Sequence, residues 1–212
     1  MRPRSPKGRA KETARRLAEE YPDADCALIH ANAFELLAAT ILSAQSNDEQ
    51  VNKVTPALFA RFPTPADLAG ASTGEVEELI KTLGLFRSKA RSLVGMAAAL
   101  VDRHAGEVPS AMEDLTKLPG VGRKTANVVR SVALGEPGLP VDTHVSRLSR
   151  RLGLTEQTDP VKIEYELNAM IPPAERGVFS LRLILHGRRV CDARRPRCPD
   201  CVLNEFCPSS LL

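Results

Sequence analysis

Four cysteines fall within 17 residues near the C-terminus, as Cys191-x6-Cys198-x2-Cys201-x5-Cys207, interleaved with Pro196, Pro199 and Pro208. So short a segment carries too little apolar material to fold alone, and in a reducing compartment disulfides are disfavoured. The set therefore reads as a metal site, and its spacing leaves a four-cysteine zinc site and a [4Fe-4S] cluster both open. Arg194, Arg195 and Arg197 lie inside the first interval. A loop pinned by a metal would present them as a rigid cationic finger to a phosphate backbone. The fifth cysteine, Cys26, stands far off and reads as a buried or inert thiol.

The rest of the chain points to an all-α fold. Ala and Leu are abundant, β-branched alternation is scarce, and amphipathic stretches recur between Pro and Gly punctuation. The periodicity predicts about eleven helices, over 8–21, 27–44, 48–61, 65–70, 74–81, 86–104, 111–118, 123–134, 143–152, 160–170 and 174–189. No repeat of solenoid period occurs. No apolar run approaches the ~20 residues that span a bilayer, and no signal-peptide core follows the basic N-terminus, so an intracellular protein without a membrane partner is expected. The first eleven residues carry Arg2, Arg4, Lys7, Arg9 and Lys11 with no acid. They read as a disordered tail that touches nucleic acid, with a targeting arm as the alternative.

The chemistry concentrates between Leu118 and Asp142. Ala111 to Leu118 has helical spacing, Pro119 and Gly120 break it, and Arg123 to Leu134 resumes it with apolar Ala126, Val128, Val129, Val132 and Ala133. This is a helix-hairpin-helix pattern. Gly120 and Gly122 would permit positive φ and remove side chains that block close approach, leaving backbone N–H groups to face an anion such as a phosphate. A plain tight turn between packed helices is the other reading.

Lys124 then falls in the first turn of a helix, where the macrodipole disfavours an ammonium, as partial burial also would. A neutral amine is a nucleophile that can form a Schiff base; a solvated lysine contacting phosphate is the alternative. The helix carries the chain about 18 Å away. The proline-containing segment 135–141 can span roughly 25 Å, enough to return Asp142 beside Lys124. Asp142, in Val141-Asp142-Thr143-His144, also reads as the N-cap of a helix from Thr143 to Leu152, and that position keeps a carboxylate ionised.

Charge divides unevenly. Of 29 Lys and Arg and 26 Asp and Glu, residues 25–136 hold 11 and 13, so the two ends together hold 18 and 13. Arg182 to Arg197 contains six arginines against Asp192 alone, and Arg147, Arg150 and Arg151 follow Asp142. Arginine's planar fork suits phosphate. With no Trp and only two Tyr, stacking platforms for single strands are not expected, and duplex backbone is the better partner.

The hairpin Leu118-Pro119-Gly120-Val121-Gly122-Arg123-Lys124-Thr125-Ala126, the Val141-Asp142-Thr143-His144 that follows, Ile41 to Gln45, and the cysteine tail together resemble the endonuclease III family of bifunctional DNA glycosylases and AP lyases. The resemblance covers about Ala14 to Cys207. It implies a two-domain helix-hairpin-helix glycosylase fold, with a six-helix barrel domain at 25–136, a discontinuous cluster domain from 1–24 and 137–212, and DNA in the cleft between them. It implies that the metal is a [4Fe-4S] cluster on Cys191, Cys198, Cys201 and Cys207. It makes Lys124 the Schiff-base lysine and Asp142 its partner carboxylate.

Gln45 and Leu85 would fill the hole left by a flipped base. Leu85, apolar after Gly84 at a helix junction, is also a plausible wedge on its own chemistry, with core packing as the alternative. Leu118, Gly120, Val121, Gly122, His144, Arg194, Arg195 and Arg197 complete the implied DNA contacts. The implied substrate is duplex DNA with oxidised pyrimidines or abasic sites, acted on by a cytoplasmic, nucleoid-associated monomer. Two departures bear on lesion preference and on the wedge: Ser46-Asn47 stands where relatives often carry Ala or Thr, and Phe86-Arg87 where Tyr-Asn is familiar. The rivals are a monofunctional glycosylase of the same superfamily, lacking a lysine at the position of Lys124, and a non-enzymatic, metal-stapled DNA-binding module.

Overall fold

The computed structural model describes residues 3–212, and all regular structure among them is helical. The helices are α1 (Pro6–Glu20), α2 (Ala33–Ser43), α3 (Asp48–Arg61), α4 (Pro65–Ala69), α5 (Thr73–Ile80), α6 (Phe86–His104), α7 (Met112–Leu115), α8 (Arg123–Ala133), α9 (Thr143–Arg151), α10 (Pro160–Asn168) and α11 (Arg176–Arg189). Single 3-10 turns lie before α11 at Pro173–Glu175 and after it at Cys198–Asp200 and Asn204–Phe206. No helix among the described residues is long and apolar enough to cross a membrane.

Local chemistry sets most of the boundaries. Ser5, Asn47 and Asp159 each offer a side-chain oxygen to a first-turn N–H, and Thr64 with Asp67 and Ser72 with Glu75 form reciprocal capping boxes. Two expectations need correction. The second helix begins at Ala33, not at residue 27, because Asn32 caps it through Glu35 N at 2.9 Å. The bent stretch before it is held out of the helix by Asn52, whose side-chain oxygen accepts from Ile29 N and whose amide nitrogen donates to Ala27 O. The basic N-terminal arm is not a disordered tail over the described residues. Helix starts at Pro6, and Arg9 gives its guanidinium to Gly153 O at 2.6 Å and Arg4 O at 2.7 Å. Arg2 lies outside the described residues.

The chain forms two compact units: Cys26–Glu136, and the residues before Cys26 with Pro137–Leu212. In the first, α2 is the central element. Phe34 and every residue from Leu36 to Leu42 are buried, so this helix is enclosed on all sides. Thr40, the polar residue among them, returns its hydroxyl to Leu36 O at 2.7 Å. Leu58, Leu93, Met96 and Leu100 from α3 and α6 complete the core. In the second unit α1 joins α9, α10 and α11 around Leu17, Val145, Leu148, Ile163, Phe179 and Leu183. The N-terminal helix is thus an integral part of the core that the C-terminal cysteines pack against.

Candidate nucleic-acid interface and thiol centre

The turn between α7 and α8 is anchored from below. Leu118 and Val121 are buried, and Val121 N bonds Leu118 O at 3.1 Å, so their side chains serve the core, while Pro119 and the backbone of Gly120 and Gly122 are exposed. Gly120 has φ +77°, and a Cβ there would lie 2.7 Å from Ser92 Cβ and 3.3 Å from Ile41 Cγ2. Glycine is required twice over, by conformation and by close approach. Gly122 corrects the expectation of a second positive φ. It is extended at φ −93°, has open space where a Cβ would go, and forms the N-cap of α8 without a side-chain acceptor. A helix start with no capping side chain is a ready anion site. Lys124, next in that turn, is exposed and has no hydrogen bond or ion pair among the described residues.

Gln45 and Leu85 lie in the same unit and share an unusual backbone. Both are left-handed, at φ 55° and 58°, and both are exposed, Leu85 by 59 %. A non-glycine residue in that region costs about 1–3 kcal/mol and persists only where the surroundings enforce it. Leu85 is therefore not core, and its strained turn aims an apolar side chain at solvent.

In the other unit, Asp142 caps α9, its Oδ1 accepting from Val145 N at 2.8 Å. His144 is half-buried and held at Nδ1 by Arg147 Nη2 at 3.0 Å, and burial lowers its pKa, against an opposing pull from Asp142. The same Arg147 nitrogen gives to Gly187 O and Cys191 O, both at 3.0 Å. A Cβ at Gly187 would meet His144 Nδ1 at 2.9 Å, so the glycine makes room for this junction.

Arg151 reaches Cys191 Sγ at 3.2 Å, Asp192 O at 2.7 Å and Ala193 O at 2.7 Å. The arginines of α9 were expected at a phosphate surface. Arg147 and Arg151 are instead consumed inside the unit, and of the three only Arg150 remains outward, with a long contact to Ser146 O at 3.4 Å. Arg194 and Arg195 are exposed, their backbone N–H groups fixed by Asp192 Oδ1. Arg197 is partly used, bonding Arg189 O and facing Asp200 at 3.9 Å.

Cys191, Cys198, Cys201 and Cys207 are free thiols that line a single pocket with Leu148, Leu152, Arg151 and His186. Burial pushes the Cys201 thiol up to about 11 and raises Cys207, and the neighbouring sulfurs add to both. Four half-buried sulfurs converging on one apolar space repel one another once ionised, so as thiolates they call for a cation in their midst. Yet no three His, Cys, Asp or Glu side chains among the described residues are arranged around a single metal ion. Four sulfurs lining one pocket are the donor set of a thiolate-bound metal centre.

Its surroundings were not foreseen from the sequence. His186 Nε2 faces Cys201 Sγ at 3.3 Å and Tyr21 O–H meets its Nδ1 at 3.1 Å, while burial brings the imidazole down to about 4. If Tyr21 donates to Nδ1, the ring's proton is on Nε2, toward the sulfur. A histidine among the apolar residues of α11 was the available signal.

Comparison with known proteins gives a consistent family. Residues 38–173 match the model of the HhH-GPD superfamily of base excision DNA repair proteins. The chain is 51 % identical over 207 residues to endonuclease III of Synechocystis sp., covering 97 % of this chain and 94 % of the relative. It is 39 % identical over 201 residues to endonuclease III of Escherichia coli K12, covering 95 % of each. The structure of a trapped endonuclease III–DNA covalent intermediate with an estranged adenine superposes with a TM-score of 0.90 at 45 % identity, over 96 % of both chains.

Proposed function

Because the chain belongs to the HhH-GPD superfamily of base excision DNA repair proteins, and within it to the endonuclease III family, we propose that it excises oxidised pyrimidines from duplex DNA and cuts the abasic strand through a Schiff base on Lys124. The observation that carries this reading is the state of that lysine: exposed, without an ion pair among the described residues, in the uncapped first turn behind the hairpin. A protein of similar fold and 45 % identity has been trapped in covalent union with DNA, so such a bond is within the family's chemistry.

The hairpin backbone from Leu118 to Gly122, with Arg194, Arg195, Arg197 and His144, contacts the phosphates. The damaged nucleotide is extruded, which costs less for a base that stacks or pairs poorly, and Gln45 and Leu85 occupy the space it leaves. The unprotonated Lys124 Nζ attacks C1′. The C1′–N bond breaks, and the base leaves with the electron pair and takes a proton. Asp142 accepts a proton from the attacking amine and returns it to O4′ as the C1′–O4′ bond breaks, the nitrogen lone pair closing a C1′=N iminium. Loss of a C2′ proton then drives out the 3′ phosphate, cutting the strand by β-elimination. Lys124 belongs to the first unit and Asp142 to the second.

We take Cys26–Glu136 as the barrel domain and the remainder as the cluster domain, acting as a monomer in the compartment that holds the chromosome. Cys191, Cys198, Cys201 and Cys207 would hold a [4Fe-4S] cluster. When bound, it supplies iron–thiolate cross-links to a segment with little core of its own.

The test is incubation with duplexes that are intact, abasic or carry an oxidised pyrimidine, with and without borohydride. Scission and a covalent adduct on the two damaged duplexes are expected; an uncut abasic duplex with no adduct would overturn the reading. Asp142→Asn isolates the carboxylate's charge, because asparagine caps a helix as well as aspartate does. Single-turnover cleavage is expected to fall by about 10²–10⁴-fold with binding to an abasic analogue preserved. Wild-type turnover would leave Asp142 as a cap alone.

A further inference from the structure

Lys89 sits on α6 one turn beyond Leu85, with its N–H bonded to Leu85 O at 3.0 Å, yet only 5 % of its surface is exposed. Its Nζ donates to Ser46 Oγ at 2.8 Å and has no other hydrogen bond or ion pair among the described residues. Burial holds its pKa below the ordinary lysine value. A buried cation with one neutral partner is an expensive way to fill a space that methionine would fill more favourably. It is therefore the arrangement, rather than core stability, that calls for an explanation.

The bond joins two segments 43 residues apart, and each carries a strained, exposed residue, Gln45 in one and Leu85 in the other. Ser46 directly follows Gln45, and Lys89 lies on the helix that Leu85 caps. The two turns also run against one another, since a Cβ on Gly84 would lie 3.9 Å from Gln45 O, an ordinary packing distance. Left-handed conformations at Gln45 and Leu85 need external enforcement, and the Lys89–Ser46 bond ties their two segments directly together.

We propose that Lys89, through Ser46, is a positioning residue that locks the Gln45 turn to the Leu85 turn, so that both side chains enter the duplex as one wedge. The inference rests on the reading of Gln45 and Leu85 as inserted residues. A rigid pair is set before encounter and loses less side-chain and loop freedom on insertion than two independent turns would. Serine at position 46 supplies the acceptor, so the departure from Ala or Thr noted there acquires a purpose in this chain.

The experiment uses the whole protein and a duplex in which 2-aminopurine stands opposite a tetrahydrofuran abasic analogue, so that fluorescence reports how far the estranged base is unstacked. Lys89→Met and Ser46→Ala are each expected to reduce the fluorescence gain at saturating protein by about fivefold, the range for directly coupled neighbours. Lys89→Arg, which keeps a cationic donor, is expected to restore part of it. Lys89→Met should unfold at the wild-type temperature or higher, which separates positioning from stability. A double-mutant cycle between Gln45→Ala and Leu85→Ala should show coupling in the wild-type background and simple additivity with Lys89→Met. If Gln45→Ala and Leu85→Ala leave the signal unchanged, the insertion reading fails and this inference with it. If they lower it while Lys89→Met and Ser46→Ala do not, the latch alone is refuted.

Discussion

Lys124→Ala removes borohydride-dependent adduct formation with abasic duplex and lowers strand scission by about 10⁴-fold or more, the loss expected when a covalent nucleophile is deleted. The size of the effect follows from the chemistry. No other group in the proposed site supplies an amine to C1′, so both bond-breaking steps lose their intermediate at once. The folded state should hardly notice the change, because Lys124 is exposed and bonds to nothing among the described residues. Surface substitutions of that kind stay within about 0.5 kcal/mol. Binding to an abasic analogue should therefore survive, which distinguishes loss of chemistry from loss of structure. Lys124→Arg sharpens the test: guanidinium keeps the cation for phosphate but is never deprotonated under working conditions. If Lys124 served only as a phosphate contact, arginine would preserve activity. A trapped adduct that persists in either variant would move the nucleophile elsewhere.

Cys201→Ser is expected to give an iron-poor protein whose second unit unfolds earlier, by several kcal/mol or outright, since binding free energy at such a site is folding free energy. Cys201 is the thiol most pressed by its surroundings, pushed up to about 11 by burial and facing His186 at 3.3 Å. Next to it lie Leu203 and Phe206, which belong to the core shared with α1, α9 and α11. Loss of the centre should therefore reach beyond the tail, loosening Arg151's carbonyl contacts and the exposed Arg194 and Arg195. Iron analysis, thermal unfolding and duplex affinity on wild type and variant provide the measurements. Wild-type preparations that carry zinc instead of iron would contradict the assignment. Equal unfolding temperatures in the two proteins would show that the centre does not staple the fold.

The helical map was legible because its signals are local. Pro, Gly and the capping residues Ser5, Asn47, Thr64, Ser72 and Asp142 act through their own turns, and their neighbours in sequence are enough to read them. The start of α2 was placed too early for a reason of the same kind seen from the other side. Its apolar residues continue the periodicity backwards past the Asn32 cap, while the clamp that keeps residues 27–29 out of the helix comes from Asn52, on another helix. The two hairpin glycines looked equivalent in the sequence. Contact with Ser92 and Ile41 separates them, leaving Gly120 sterically required and Gly122 merely uncapped.

The sequence by itself determined residue chemistry and local conformation: a lysine in the first turn after a glycine hairpin, an aspartate at an N-cap, four thiols too close to fold without a metal, and a family in which these occur together. Tertiary structure alone decided the direction and company of each side chain. Arg147 and Arg151 turned inward to carbonyls and a thiol while Arg194 and Arg195 stayed free, although all four are the same residue in basic stretches. Lys124 was left exposed and Lys89 buried, although both are lysines in the first turns of their helices. The physical reason is range. Caps, turns and helical periodicity act within a few residues, whereas burial and hydrogen-bond partners depend on segments tens of residues away, as Ser46 is from Lys89 and Tyr21 from His186.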